Sequence, residues 1–505
     1  MKKTRIERQW ISWLNGIFIS LLVLLLGACG GGGGSSAPSG AAPTAGLARG
    51  TIEGFGSVIV NGVKFEVEGA EVEFEHGTTV IISGATQTLH LNEGMQVEVE
   101  GSFDDNGRTG TATRLIVDDE LEGEISGLAT NATTGVISFT VLGQTVVAIP
   151  GSTNVDPSSP LNGNLANLAD GQFVEIHGLP DGLGTLQATF IEYKAADAAS
   201  FALNSEGELE LTGAITSMAS STSFSIGSQQ IDASAATIDG TLSVGTLVEV
   251  KGTLNGVILE ATLVHVEDGM GNQVAKVHIE GLIRNLDNPT SGQFSLNGQM
   301  VDYGSAAYRG GVQADLMDGL KVEAEGPIVG GVLLATKIKF KDSFRYEGAA
   351  TELNANTLSI DVPGGGTLTV LIDSAMTRTD VGLDLSTRNA KIRARIVSGS
   401  TLIATRVQDG GGQDSRQIFE APVVDFSQAA DSVELLDDGS QTGIGLINVD
   451  TSTINDVNHP SGSDFQIEDQ VVSKAAFYQA LNVSDRVKAR YDNGAWDQIE
   501  IELED

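Results

Sequence analysis

Gly94-Met95-Gln96-Val97-Glu98-Val99-Glu100-Gly101 is the stretch whose reading decides the fold of this chain. Apolar and polar side chains alternate between two glycines, the period-two pattern of a strand with one buried face and one wet face. The pattern returns as Gly171-Gln172-Phe173-Val174-Glu175-Ile176-His177-Gly178 and as Gly245-Thr246-Leu247-Val248-Glu249-Val250-Lys251-Gly252. It returns again as Gly319-Leu320-Lys321-Val322-Glu323-Ala324-Glu325-Gly326. Later its apolar positions fall at Ile392, Ala394 and Ile396, then at Val487, Ala489 and Tyr491.

Three further signatures surround this strand in a constant order. Each unit opens on a glycine between apolar residues: Gly50-Thr51-Ile52, Gly123-Glu124-Ile125, Gly213-Ala214-Ile215, Gly281-Leu282-Ile283 and, more weakly, Gly348-Ala349-Ala350. A sixth start, Ala421-Pro422-Val423, lacks the glycine, and the starts lie 73, 90, 68, 67 and 73 residues apart. A short hairpin follows, as in Val58-Ile59-Val60-Asn61-Gly62, Phe139-Thr140-Val141-Leu142-Gly143, Phe224-Ser225-Ile226-Gly227 and Phe294-Ser295-Leu296-Asn297-Gly298. Asn-Gly suits the positive φ of a two-residue hairpin turn. An Ala-Thr pair closes the unit at Ala112-Thr113, Ala188-Thr189, Ala261-Thr262, Ala335-Thr336 and Ala404-Thr405; the sixth has Asp497-Gln498 instead.

Such a unit offers five or six short strands and little helix. An open sheet of that size leaves its edges unpaired, whereas closure into a small barrel removes them. The expected fold is therefore all-β: a tandem array of about six small closed β-barrels of the oligonucleotide-binding or SH3-like kind. The repeats span 47–119, 120–195, 206–268, 275–341, 343–408 and a divergent 415–505. A sandwich per unit is the weaker alternative, because these units are short for seven strands. Helix is expected at Leu161 to Leu168 and at Lys474 to Leu481, and bends at 195–206 and 409–415. Six barrels end to end would reach about 170 Å.

The 505 residues are 41% apolar with one Cys, which excludes a disulfide scaffold and a Cys-ligated zinc ribbon. Lys and Arg number 29 against 66 Asp and Glu, a net charge of −37 that works against nucleic-acid binding. Lys2, Lys3, Arg5 and Arg8 precede an apolar run from Ile17 to Leu26, the layout of a secretory signal too short for a stable span. It ends in Leu26-Gly27-Ala28-Cys29, which resembles the lipobox of bacterial lipoproteins. The resemblance implies cleavage of a signal at 1–28, lipidation of Cys29 and, with Gly30 following, the outer membrane, on its periplasmic face or the cell surface. Residues 29–46 are Gly, Ser, Ala and Pro-rich and read as a tether with a reach of roughly 20–25 Å.

Lipobox, Gly-rich tether and repeats of the Gly-x-Val-Glu-Val-x-Gly and Ala-Thr type together resemble the bacterial domain-of-unknown-function family 5666. The likeness covers roughly residues 47 to 407 well and 415–505 poorly. It implies architecture and location and names no reaction.

No dedicated reactive centre is legible. His76, His90, His177, His265, His278 and His459 show no zinc spacing, and no HExxH or Gly-x-Ser-x-Gly elbow occurs. Gly364-Gly365-Gly366 reads as a turn, and Asp104-Asp105-Asn106-Gly107 fails the EF-hand spacing. Glu98 and Glu100 read as a solvated face and His177 as a surface residue; His265 and His278 flank one linker, a position from which they could be neighbours. No catalytic residue, metal or cofactor is expected. One cationic row stands out: Lys391, Arg393 and Arg395, echoed by Arg486, Lys488 and Arg490. It either pairs with acids of its own unit or meets an anionic partner, such as an envelope polysaccharide, another envelope protein or another copy's acidic units. The expected function is a lipid-anchored, non-enzymatic envelope protein whose extended array binds or spaces. The alternatives are a glycan- or ligand-binding module, weakened by Trp496 being the only Trp after the signal, and an enzyme with an inter-repeat site.

Overall fold

The computed structural model describes residues 44–502 apart from internal stretches, of which 83–90, 438–444 and 455–463 are the longest. The lipidation site Cys29 and the signal lie outside the described residues. Strands dominate, and repeat 1 shows how they close. Its opening strand Thr44–Gly54 pairs with Val58–Val60, which pairs with Val63–Glu66, which runs parallel to the closing strand Thr109–Val117. The closing strand turns back on Gln96–Phe103, and that strand returns to the opening one. The ring is complete. The same cyclic order closes repeats 2 and 3. It also closes repeats 4 and 5, with a single bridge from Arg284 to Ser295 completing repeat 4. The sixth unit keeps the strand order, but no ladder joins Gly445–Asp450 to its closing strand Ala495–Glu502 among the described residues.

The signatures have physical causes. A Cβ on Gly50 would sit 2.2 Å from Asn61 Oδ1, so the opening glycine makes room for the hairpin asparagine. Asn61 takes φ 55° and donates to the Arg49 carbonyl at 3.0 Å, tying hairpin to opening strand. The glycine ending the central strand sits at a bulge facing the Ala of the Ala-Thr pair: Gly101 on Ala112, Gly178 on Ala188, Gly252 on Ala261. A Cβ there would meet a closing-strand carbonyl at 2.1 Å in repeat 1 and 2.2 Å in repeat 3. The neighbouring threonine then crosses the bulge, as Thr113 donates to Glu100 O and Thr262 to Lys251 O at 3.1 Å each. Inside each ring the apolar row is buried, Val97 and Val99 in repeat 1 and Val248 and Val250 in repeat 3 being examples. Each such side chain contributes about 1.5–3 kcal/mol.

The repeats do not lie end to end, which corrects the extended array of about 170 Å. An opening strand is longer than its own barrel needs, and the overhang pairs with another repeat. Residues 46–49 run parallel to 276–279 of repeat 4. Leu121 and Glu122 pair antiparallel with Leu211 and Glu210 of repeat 3, and Arg345 to Glu347 with Glu420 to Ile418 of repeat 6. Unpaired edges invite association, and here the chain satisfies them itself. The result is three barrel pairs, 1 with 4, 2 with 3, and 5 with 6. The pairs also touch: Phe190 of repeat 2 lies in the core of repeat 1, and Val136, Val147 and Ile149 pack on Leu371 and Ile403 of repeat 5.

Local expectations meet mixed outcomes. Lys474–Ala480 is an α-helix, capped by Ser473. The stretch at Leu161 to Leu168 holds only a 3-10 turn, Leu165–Asn167, because its asparagines cap and turn the backbone instead of extending it. The bend expected at 195–206 contains a helix, Ala198–Asn204, whose Phe201 stacks on Phe173 at 4.4 Å. At 409–415 the strand Thr401–Gly412 continues past the expected boundary. Strand pairing likewise begins at Thr44, inside the expected tether.

Candidate functional site: an acidic chamber between barrel pairs

Because barrels pair through their opening strands, the polar rows beside those strands become interfaces. Glu98 is 9% exposed and His177 1%, so neither is the solvated residue the alternation suggested. Period two tells which residues share a face; it does not tell what covers that face. His177 instead donates from Nδ1 to the Asp118 carbonyl at 2.7 Å and lies 3.4 Å from Glu175. Burial works against its charge, but Glu175 and Glu120 outweigh it and raise its pKa. Glu175, also held by Lys194, is lowered to about 2 despite burial.

His278 and His265 fall to different partners, not to each other. His265 lies 3.3 Å from Asp239, while His278 is buried against Glu323 at 3.0 Å and Glu325 at 3.6 Å. His278, Glu323 and Glu325 bring three ligand-type atoms within 4.8 Å, the geometry of a metal site. Lys339, however, places its ammonium 2.7 Å from Glu325 and 3.7 Å from Glu323. With a lysine already beside both carboxylates, the trio is a neutralised polar knot, and a metal ion does not fit without displacing that cation.

The six cations of repeats 5 and 6 each meet a polar group of this chain. Arg393 lies 3.2 Å from Asp315 of repeat 4 and covers the Phe340 ring at 4.0 Å. Arg395 reaches Gln187 of repeat 2 at 3.0 Å. The bulge at Arg393 and Ala394 turns these neighbours in the row toward different repeats. Lys391 faces Glu347 at 3.6 Å, Arg486 faces Glu420 at 2.5 Å, Lys488 faces Glu500 at 3.1 Å and Arg490 faces Asp497 at 2.9 Å. Trp496, the candidate stacking platform, is buried against Phe419 and Tyr491.

The chain passes between the 1–4 sheet and the 2–3 sheet at residues 118–120 and again after Val266. Both crossings border one half-open cavity of about 110 Å³. The first crossing contributes Asp118, Asp119 and Glu120, and repeat 3 adds Glu210, Glu249 and Glu267. Repeat 1 supplies Gln96 and the lining's one basic residue, Arg49, and repeat 4 supplies Asn297. Arg49 is already held by Glu98 at 2.6 Å, and Lys251 behind the wall by Glu210 at 2.8 Å and Glu249 at 2.9 Å. Two acceptor atoms of buried lining residues, Gln96 Oε1 and Asp119 Oδ2, have no hydrogen-bond donor, although the Gln96 amide nitrogen donates to Thr51 and Thr189. Burial, then the charges of Asp118 and Glu249, push Glu267 up to about 7, against the opposing pull of Arg49 and His265. Chemically, the chamber is a wall rich in oxygen acceptors with Arg49 as its one basic lining residue.

Sequence reasoning missed it, though a signal was present. Asp118-Asp119-Glu120 and Glu267-Asp268 place acids at the first and third inter-repeat linkers, the two that cross between the 1–4 and 2–3 sheets. The family model described as a domain of unknown function, DUF5666, matches residues 49–115, 122–192, 212–264 and 280–339. These four matches are the four repeats that surround the chamber. No curated protein matches the chain.

Proposed function

Starting from a chain that carries four tandem DUF5666 domains between residues 49 and 339, we propose a lipid-anchored, non-enzymatic bacterial envelope protein. In this reading its clustered barrels form a binding platform that takes a small cationic ligand in the chamber. One observation carries the ligand reading: six carboxylates share a cavity lined by one guanidinium, and three buried acceptor atoms of its lining, Gln96 Oε1, Asp119 Oδ2 and Asn297 Oδ1, have no donor. Buried polar atoms are nearly always satisfied, so acceptors left over in an acidic cavity favour a cation or a hydrogen-bond donor.

The anchor rests on the basic leader, the apolar run and Leu26-Gly27-Ala28-Cys29. Two or more acyl chains hold a protein firmly at a bilayer, whereas one is marginal. Labelling cells with a radioactive fatty acid tests this: the wild type should carry label and Cys29→Ala should lose both label and outer-membrane fractionation. A Cys29→Ala protein that still fractionates with the outer membrane overturns the anchor. Calorimetric titration of the purified chain tests the chamber, with small amines and divalent cations expected to bind and sulfate and acetate expected not to. Equal binding of anions overturns that part.

A further inference from the structure

We infer that the chamber receives the ammonium or guanidinium group of a small organic cation, which bridges the two sheet crossings and locks repeats 1 and 4 onto repeats 2 and 3. The inference rests on the cation-binding reading above and names its ligand class and consequence.

The choice of ligand follows from the donors required. Gln96 Oε1 and Asp119 Oδ2 are buried oxygens without a donor. Ammonium brings three N–H donors and guanidinium five. A dehydrated calcium ion instead needs six to eight oxygens converging at about 2.3–2.6 Å. Among the described residues, the trio of His or carboxylate groups converging within 4.8 Å is His278, Glu323 and Glu325, none of which lines this cavity. The chamber's acids are spread around its wall, which suits a hydrogen-bonding cation better than a bare metal ion. Size agrees, since a cavity of 150 Å³ holds a benzene, and about 110 Å³ takes a head group of about five heavy atoms.

The consequence follows from the topology. Asp118, Asp119 and Glu120 belong to the chain's first passage between sheets, and Glu267 begins its second. Asp118 acts on Glu267 as a neighbouring like charge. Arg49 attracts both Asp118 and Glu267, and a second cation between the passages adds to that attraction. Direct contacts between the sheets, such as Asn154 donating to the Glu93 carbonyl at 2.9 Å, would then be reinforced by the bound ligand.

Hydrogen exchange on the purified full chain reads this directly. Spermidine should slow exchange at least tenfold at amides 118–120 and at 267, both crossings together. Asp119→Asn and Glu267→Gln should each weaken spermidine binding at least tenfold, while Glu352→Gln, on an exposed strand of repeat 5, should leave it unchanged. Tetramethylammonium, a cation without N–H donors, should give no protection; this comparison needs no variant and holds even where one fails to fold. Protection by tetramethylammonium equal to that by spermidine, or protection of one crossing alone, overturns the inference. Calcium binding without amine binding overturns it too, yet leaves the cation-binding reading standing. Failure of every cation to bind removes both.

Discussion

The seam between repeats 5 and 6 and the chamber among repeats 1 to 4 arise at equivalent strands of different repeats, with opposite electrostatics. At the seam, Glu420 is fully buried between Arg486 at 2.5 Å and Arg345 at 3.0 Å. Burial would raise its pKa, but the two guanidinium groups win and hold it at about 2. In the chamber, burial and the neighbouring Asp118 and Glu249 win over Arg49, and Glu267 rises to about 7. Position in the barrel therefore does not decide whether a polar row becomes adhesive or receptive; the local supply of arginine does. Where arginines answer the acids the interface is closed, and where a single one lines the wall a cavity remains in which Glu267 holds its proton more tightly.

The sharpest way to break this comparison is to take an arginine from the seam. Arg486→Met leaves Glu420 buried with Arg345, and removing one partner of a buried ion pair costs about 3–5 kcal/mol. Trp496, 5.8 Å from Phe419, reports on this region, and its fluorescence midpoint in urea should fall accordingly. A loss below about 1 kcal/mol would mean that Arg345 alone suffices.

Acid and base should act on the two regions in opposite directions. Glu420's folded pKa is depressed, so its stabilisation is present above its ordinary value near 4.5 and is lost as pH falls toward about 2. Glu267's is raised, so the folded chamber binds more protons than the unfolded chain between about 4.5 and 7, and stability falls as pH rises through that window. Glu267→Gln should remove this slope and stabilise the chain at pH 8 by about 1–3 kcal/mol without ligand. Melting curves across pH check it. A variant whose melting temperature tracks the wild type from pH 5 to 8 sinks the assignment.

A smaller effect separates demands of the barrel from demands of charge. Gly252→Ala would place a Cβ 2.2 Å from the Glu260 carbonyl, forcing the bulge of repeat 3 to shift at a cost of about 1–3 kcal/mol. Repeat 5 already carries Ala394 opposite Ala404, so the same bulge tolerates a methyl where its strands have adjusted. Increased hydrogen exchange confined to Leu247–Asn255 and Ile258–Val266 is the expected signature.

These features divide cleanly by what a linear sequence encodes. Gly50 with Asn61, and Gly101 with Ala112, are contacts within one repeat, and recurrence in sister units exposes them. The barrel was therefore legible from four recurring signatures. Partner choice was not: repeat 1 pairs with repeat 4 across more than 200 residues, through the parallel register of 46–49 on 276–279. Nothing in alternation distinguishes a glutamate facing water from one facing another barrel, so alternation alone places Glu98 and His177 in solvent. The recurring charge before the opening glycine (Arg49, Glu122, Glu280, Glu347) was the available hint, because a charge kept beside apolar residues asks for a partner. The chamber needed both facts at once, the acidic linkers and the folding of two sheets against each other.

The subtlest test uses one hydrogen bond that both regions share. Thr113 donates to Glu100 O at 3.1 Å on an exposed edge of repeat 1, and Thr405 donates to Arg393 O at 3.2 Å, buried between repeats. Water can replace the first donor and cannot readily reach the second site. Thr405→Val should therefore cost about 1 kcal/mol and Thr113→Val at most a few tenths, roughly the gap between a buried and a wet hydrogen bond. Paired urea titrations, read at the exchange-protected core of each repeat, measure the difference. Equal costs at the two sites would mean that the Arg393 face is wetter than its packing against Asp315 and Phe340 implies, and that the seams are less closed than the contrast with the chamber requires.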